Sequence, residues 1–172
     1  VVFKLTNAIC ESYNKSWMVI NKCRLHAISR NKVVFNFNGT ILHPCSNIII
    51  ELQMFKKASG YKPWLIKFNL DACRFIKKSY NPFATLVYNL FKDFTNINHT
   101  CPYVVSFKYI NSYLFSSNIK IMSLQGDQII EGFYLRPELL NLPLPTGEYL
   151  LAFTWVFSKQ RLFITNVYFT FT

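Results

Sequence analysis

Residues 70–103, LDACRFIKKSYNPFATLVYNLFKDFTNINHTCPY, contain the stretch of the chain with the clearest helical periodicity. Asn81 is a favoured N-cap residue, and Pro82 suits the first helical position, where its missing N–H would have no intrahelical partner. Apolar residues then recur at the spacing of one helical face, which predicts a helix over about 82–95. The apolar face consists of Phe83, Leu86, Val87, Leu90, Phe91 and Phe94.

A cysteine lies on each side of the predicted helix, Cys73 before it and Cys101 after it. A helix of about 13 residues is marginal alone in water, so it needs a surface to cover. A Cys73–Cys101 disulfide would pin both ends of the helix to neighbouring strands. Closing a loop of about 28 residues contributes roughly 3–4 kcal/mol in the chain-entropy model. Two reduced, buried thiols are the alternative interpretation of the same residues.

The chain has five cysteines, an odd number, and none of them forms a CxxC pair. The pattern therefore does not indicate a zinc ribbon or a thioredoxin-type site. In a secreted protein four cysteines would pair and one would be left over. The second disulfide that we expect is Cys10–Cys23, across a hairpin-like connection, although four cysteines allow three pairings.

Most of the remaining sequence alternates apolar and polar residues as strands do. Residues 58–60 predict a tight turn inside an antiparallel hairpin. The strand over 148–158 is apolar on both faces, which favours a central or covered position. The pattern predicts one domain over 1–172 that is mainly β, an antiparallel β-sandwich or β-cup of about eight strands with the helix packed against it. The predicted strands are 1–10, 17–29, 33–42, 47–57, 63–73, 104–115, 148–158 and 161–172, with weaker strands at 119–124 and 128–135.

The composition is that of a folded chain rich in large apolar side chains, since 51% of residues are apolar and only 16% are charged. The 17 Phe and 10 Tyr are more than a closed core of this size usually needs. This excess suits the lining of a cavity, and a dense aromatic core is the alternative explanation. No apolar run reaches the length of about 18 residues that indicates a membrane-spanning helix.

Positive charge is concentrated in the first half of the chain, which has a net charge of +11 overall. Residues 1–80 carry thirteen Lys or Arg against three acidic residues, or +10, whereas residues 81–172 carry six against five, or +1. A basic surface suits an anionic membrane surface or an acidic receptor. The charges are scattered and no RNA-binding signature occurs, so we expect no nucleic-acid partner. Solubility of an apolar-rich chain explains the same charge without any partner.

The sequence contains no arrangement that is typical of catalysis or metal binding. His26, His43 and His99 are isolated from one another, and no GxSxG, HExxH or glycine-rich phosphate loop occurs. Cys23 and His26 would point to opposite faces of a strand, and His43 with Cys45 supplies only two ligands. We therefore expect no enzyme activity, no metal site and no cofactor.

Three Asn-X-Ser/Thr sequons predict N-glycosylation at Asn14, Asn38 and Asn98 if the protein is secreted. A chain this rich in Asn, Ser and Thr contains about two sequons by chance, so their number supports secretion only weakly. The first residue is Val1 rather than Met, which suits a removed signal peptide and equally a trimmed chain. Together with the cysteine pattern, these features predict an extracellular, secreted protein.

A set of short motifs occurs in order along nearly the whole chain: Asn7…Cys10, Cys23…Arg30, Gly60-Tyr61-Lys62-Pro63, Asp71…Cys73-Arg74-Phe75, Asn96-Ile97-Asn98-His99-Thr100-Cys101-Pro102-Tyr103 and Leu144-Pro145…Gly147…Tyr149. In this order the motifs resemble the insect family called domain of unknown function 1091 (DUF1091), or DM8. Cys45 lies outside the pattern and is the candidate for the unpaired thiol.

The resemblance implies a small secreted protein. The family is itself similar to the MD-2-related lipid-recognition proteins and the ganglioside-activator-like chemosensory proteins, which are β-sandwiches or β-cups that hold lipid between two sheets. By this similarity the helix would cover the mouth of a cup, and Lys56, Lys57, Lys77 and Lys78 would meet an anionic headgroup. The expected ligand-binding residues are Phe83, Leu86, Val87, Leu90 and Phe91 on the helix and Phe107, Tyr109, Phe153, Trp155 and Phe157 on the opposing wall. An ordinary core position is the alternative for each of them.

Two functions from different classes remain. The first is a secreted protein that holds a lipid or another apolar small molecule between two sheets, without catalysis. The alternative is an extracellular interaction protein with a filled core that acts through its basic surface. An internal cavity below about 150 Å3 would be too small for such a ligand and would rule out the first function.

Overall fold

Two antiparallel sheets form most of the protein in the computed structural model, which describes residues 2–98, 100–102, 126–139 and 144–172. Within these ranges eight strands are present, and the predicted fold class is confirmed. The larger sheet has the order β1-β8-β7-β4-β5 and the smaller sheet has the order β2-β3-β6. The strands are β1 Phe3–Ser12, β2 Met18–Ser29, β3 Lys32–Ile41, β4 Ile48–Ala58, β5 Gly60–Asp71, β6 Asp127–Phe133, β7 Gly147–Phe157 and β8 Gln160–Phe171. The predicted strands 104–115 and 119–124 lie outside the described residues.

Strand periodicity decides which residues enter the space between the sheets. On β4, the alternation predicts that Ile48, Ile50, Leu52 and Met54 share one face. Ile48, Leu52 and Met54 are buried, whereas Ile50 is half-buried and lines a cavity described below. On β3, Phe35 and Phe37 are buried in the same way. Strand β7 lies between β4 and β8, in the central position that its two apolar faces predicted.

Strands β4 and β5 form the predicted hairpin around residues 58–60. Ala58 pairs with Gly60, which has a φ of 95° that glycine adopts without steric cost. Farther along, the register shifts because Gln53 pairs with Lys67 and Phe55 pairs with Pro63. Residues 64–66 of β5 therefore lie opposite one residue of β4 and form a bulge. We call residues 64–66 the β5 bulge.

Both expected disulfides are present, with Cα–Cα distances of 6.1 Å for Cys10–Cys23 and 5.5 Å for Cys73–Cys101. The first joins β1 of the larger sheet to β2 of the smaller sheet. The second joins the two chain segments on either side of the main helix. Cys45 is a buried free thiol. Two disulfides are compatible with an extracellular protein.

The main helix, α2 (Pro82–Phe91), begins where the sequence predicted, and the side-chain oxygen of Asn81 accepts a hydrogen bond from the Ala84 N–H at 3.0 Å. A 3-10 turn over Lys92–Phe94 continues the predicted span. A short helix that the sequence pattern did not predict, α1 (Ala72–Lys77), follows β5, and the prediction of a strand up to residue 73 is wrong at this end. Asp71 caps α1 by accepting from the Arg74 N–H at 2.9 Å. A helix of six residues is too short to show a 3.6-residue period.

Helix α2 closes one side of the sandwich, between the edge strands β5 and β6. Helix α1 connects β5 to the start of α2, and the residues that follow the end of α2 are hydrogen-bonded to β6. There the side-chain amide of Asn96 donates to the Asp127 carbonyl at 2.7 Å and accepts from the Ile129 N–H at 2.8 Å. The helix is therefore held by both sheets.

Arg136, which follows β6, fixes the C-terminal end of α2. Its guanidinium donates to the carbonyls of Asn89 and Leu90 at 3.1 and 3.0 Å and forms an ion pair with Asp93 at 3.0 Å. These carbonyls lack intrahelical partners, and a cation at this end also suits the helix dipole. The position of α2 thus depends on contacts with residues more than forty positions away.

Candidate functional site

A cavity of about 170 Å3 lies between the two sheets and the helices, counted as the space open to the centre of a water molecule. One water molecule needs about 10–15 Å3 of such space, so the void is roughly ten times larger. Close-packed protein interiors contain few voids larger than a single water molecule. The wall is almost wholly apolar, with contributions from both sheets and both helices.

Six of the ten residues that the sequence analysis expected to bind a ligand line this cavity. Phe107 and Tyr109 lie outside the described residues. The six that line it are Val87, Leu90 and Phe91 on α2 and Phe153, Trp155 and Phe157 on β7.

Phe83 and Leu86 were expected to face inward, but neither is part of the lining. The Phe83 ring packs edge-on against Phe68, with ring centroids 5.8 Å apart, and Leu86 is half-buried against the hydrophobic core. The helix instead directs toward the cavity a stripe with the spacing i, i+3, i+4, i+7. This stripe contains Ala84, Val87, Tyr88 and Phe91, and Leu90 beside it also lines the cavity. The apolar face predicted from the sequence is therefore correct in extent but rotated.

Much of the wall comes from residues that the sequence analysis did not assign to a site. Phe35 and Phe37 on β3 line the cavity, and their alternation with asparagines was a signal that could have placed them there. Phe163 and Val167 on β8 also line the cavity, although apolar residues on both faces of that strand gave no signal for which of them would do so. Phe75 lies on the unrecognised helix α1, so no pattern indicated it.

Few polar groups lie in the wall. The side chains of Gln128 and Thr165 are buried there, and the Tyr88 hydroxyl donates to the Ile97 carbonyl at 3.2 Å. Burial raises the pKa of Tyr88 above its ordinary value. The indole N–H of Trp155 is buried and has no hydrogen-bond partner in the described parts of the chain. A largely apolar wall with a few polar atoms is typical of small-molecule sites.

The four lysines expected at one rim are divided between two ends of the molecule. Lys56 and Lys57 lie near the end of β4, whereas Lys77 and Lys78 end α1, close to the start of β4. About seven residues of strand separate the two pairs, which corresponds to about 20 Å. Lys57 is also paired with Glu148 at 2.8 Å, which raises the pKa of Lys57. One headgroup therefore cannot contact all four.

The three sequon asparagines lie in different surroundings. The Asn14 side chain accepts hydrogen bonds from the Ser16 N–H at 3.1 Å and the Ser16 hydroxyl at 2.6 Å, and Asn38 accepts from the Asn21 side chain at 3.1 Å. Asn98 is exposed. N-glycosylation at these positions stays a prediction.

Among the described residues, no group of three or more His, Cys, Asp or Glu side chains is arranged to hold a metal ion. Helices in the same ranges are too short or too polar to cross a membrane.

The model of one protein family, described as a protein of unknown function (DUF1091), matches residues 50–124. This match supports the DUF1091 family. Within the described residues, the matched segment contains the β5 bulge, both helices and the Cys73–Cys101 disulfide. No curated protein matches the chain. Because the DUF1091 description assigns no activity, the function has to be argued from the cavity.

Proposed function

We propose that this protein is a secreted binding protein for a lipid or another apolar small molecule, which it holds between its two sheets without catalysis. The observation that carries the proposal is the apolar cavity of about 170 Å3. Water inside such a wall would lose most of its hydrogen bonds, so the site favours an apolar guest. A comparable apolar void of about 150 Å3 stays dry and takes up benzene.

The size of the cavity sets the expected affinity. A guest that buries about 300 Å2 of apolar surface gains roughly 7 kcal/mol before the costs of association. Without those costs this free energy would correspond to a dissociation constant on the order of 10 µM, which is therefore the tightest binding that we expect for a guest of this size. A ring system or a segment of one acyl chain is the class of guest that we expect.

An anionic headgroup, where the guest carries one, would lie at the end of α1. Phe75 and Ile76 line the cavity, and the exposed Lys77 and Lys78 follow them directly in the chain. These two lysines are therefore the better candidates, and Lys56 and Lys57 are not needed for this contact.

Secretion, N-glycosylation, an insect source and kinship with the MD-2-related lipid-recognition proteins belong to the same proposal. The two disulfides and the DUF1091 match support it. The sandwich with a cavity between its sheets has the form that such kinship implies, although a fold alone does not fix a function.

Uptake of a fluorescent fatty acid by the purified protein tests the proposal. Leu151→Trp adds bulk to the cavity wall on β7, whereas Ala152→Trp adds the same indole on the opposite face of the same strand, away from the cavity. We expect wild type and Ala152→Trp to bind in the micromolar range and Leu151→Trp to lose at least ten-fold.

Equal binding by the two variants would place the probe outside the cavity and contradict the proposal. If no variant took up the probe, the extracellular interaction protein that acts through its basic surface would be favoured. Binding of that protein to an acidic partner would weaken as salt is added.

A further inference from the structure

The most exposed large apolar side chain among the described residues lies at the centre of the β5 bulge. Leu65 is 79% exposed and has a φ of 42°. Its two neighbours, Trp64 and Ile66, are half-buried and pack against the core. The bulge therefore exposes the Leu65 side chain to solvent, while its two neighbours hold the backbone against the core.

Leucine contributes little to the folded chain at this position. A positive φ is costly for a residue with a branched side chain, and glycine or asparagine adopts it with less strain. Burial cannot offset that cost, because the side chain is mostly in water. An exposed leucine in a strained backbone position therefore suggests a contact outside the chain.

Positive charge surrounds the bulge. Lys62 precedes it, Lys67 follows it, and Lys56 pairs with Lys62 across the hairpin and places its ammonium 5.6 Å from the centroid of the Trp64 ring. None of these three lysines forms a salt bridge with a carboxylate in the described parts of the chain.

Acidic residues near the hairpin are already engaged. Glu148 pairs with Lys57, and Glu51 pairs with Arg161 at 3.0 Å. Asp71 caps α1. The bulge therefore combines one exposed apolar side chain and a tryptophan with three cations that lack an ionic partner within the described ranges.

We propose that the β5 bulge docks the protein on an anionic lipid bilayer, with Leu65 inserted among the acyl chains and the exposed Lys62 and Lys67 at the lipid phosphates. Tryptophan favours the same interfacial depth. A single protruding leucine offers far less than the area of about 1,000 Å2 that a specific protein interface needs, whereas a fluid bilayer can accept it. Lysines and a bulge also protect an edge strand from pairing, but an exposed leucine does not serve that purpose. The proposal does not depend on a guest in the cavity.

Co-sedimentation of the full chain with vesicles tests this docking. Vesicles of phosphatidylcholine with 30% phosphatidylserine are compared with vesicles of phosphatidylcholine alone. We expect wild type to bind the anionic vesicles and to release them as salt is added. Leu65→Gly should weaken this binding about ten-fold, and Lys67→Ala about five-fold.

The stability of Leu65→Gly separates docking from a structural role. Because glycine relieves the positive φ, thermal unfolding should occur at the wild-type temperature or above it, even though membrane binding falls. Leu65→Asn is a second variant that tolerates the same backbone conformation. Tyr13→Ser is the control, since Tyr13 is 53% exposed in the connection between β1 and β2.

Several outcomes would overturn the proposal. The proposal would be wrong if wild type did not bind the anionic vesicles, or if it bound vesicles of phosphatidylcholine alone equally well. Wild-type binding by Leu65→Gly and Leu65→Asn, or equal loss in Tyr13→Ser, would show that the bulge is not the docking element. Destabilisation of both Leu65 variants would assign the leucine to the fold.

Discussion

One strand, β7, passes through a filled region and a hollow region of the same interior. At its start Tyr149 is fully buried, with its ring 5.4 Å from those of both Trp64 and Phe169. At its end Phe157 touches the edge of the cavity but is only 2% exposed. Between them, on the same face, Phe153 and Trp155 line the cavity and are only half-buried.

The difference shows that aromatic residues at period two do not by themselves fill an interior. Rings from β5 and β8 of the larger sheet pack around Tyr149 and exclude water. Phe153 lines the cavity, whose wall includes residues of α2 such as the small side chain of Ala84. Packing density therefore changes along one strand while its sequence pattern stays the same.

Truncation of one aromatic residue in each region should have the largest effect and tests the comparison directly. Tyr149→Ala should lower the free energy of unfolding by about 3–5 kcal/mol, because it opens a void in packed surroundings. Phe153→Ala should cost less, about 1–2 kcal/mol, since its neighbours already lack close contacts on the cavity side. Urea denaturation measures both. Equal losses would mean that the middle of the interior is packed as densely as its end.

The two disulfides should cost similar stability but differ in their effect on the hollow region. Removing Cys10–Cys23 or Cys73–Cys101 by paired serine substitutions should cost about 3–4 kcal/mol in the chain-entropy model. Only Cys73–Cys101 ties together the segments on either side of α2, which forms one wall of the cavity. We therefore expect faster release of a fluorescent fatty acid in that variant alone. Identical release rates in both would show that α2 does not retain the guest.

A larger side chain should raise the free energy of unfolding on one face of β7 and lower it on the other. Leu151→Phe enlarges a side chain in the cavity wall and should raise the free energy of unfolding by about 0.5–1 kcal/mol. Leu150→Phe enlarges a buried residue that does not line the cavity and should lower it by about 1–3 kcal/mol through overpacking. Thermal unfolding of the two ligand-free variants provides the measurement. Destabilisation by both changes would argue against free space beside Leu151.

In the filled region we also expect stability to depend on alkaline pH through Tyr149. Burial raises the pKa of Tyr149 above its ordinary value of 10.0, and its hydroxyl donates to the Pro145 carbonyl. A group whose pKa is raised on folding contributes stability that is present below the unfolded pKa, near pH 10, and is lost as pH rises through the folded value. Tyr149→Phe should cost about 1 kcal/mol at neutral pH. Above pH 10 the free energy of unfolding of Tyr149→Phe should fall less steeply with pH than that of wild type. Urea denaturation at a series of pH values measures both.

The strands and α2 could be predicted because their signals are local. Ile48, Leu52 and Met54 alternate along β4, and Asn81 with Pro82 marks the start of α2. The rotation of α2, which leaves Phe83 outside the cavity, could not be predicted in this way. It is set by the hydrogen bonds of Asn96 to β6 and by the contacts of Arg136 with the end of α2, and no local pattern encodes contacts over such separations.

The cavity itself was suggested by composition but not fixed by it. The number of aromatic residues gives the total volume of their side chains. It does not give the distance between the sheets and the helices that carry them, so it does not decide whether space is left between them. That distance depends on where α2 lies between the sheets. Helix α1, with Phe75 in the wall, was missed because six residues contain too little periodicity to be recognised.

The most direct test of the account is mass spectrometry of an organic extract from the protein secreted by insect cells, with Leu151→Trp prepared in parallel. The account predicts a stoichiometric apolar compound in the wild-type extract and its loss from the Leu151→Trp extract. A clean wild-type extract, together with no uptake of the fluorescent fatty acid, would contradict the claim that the hollow region holds a guest.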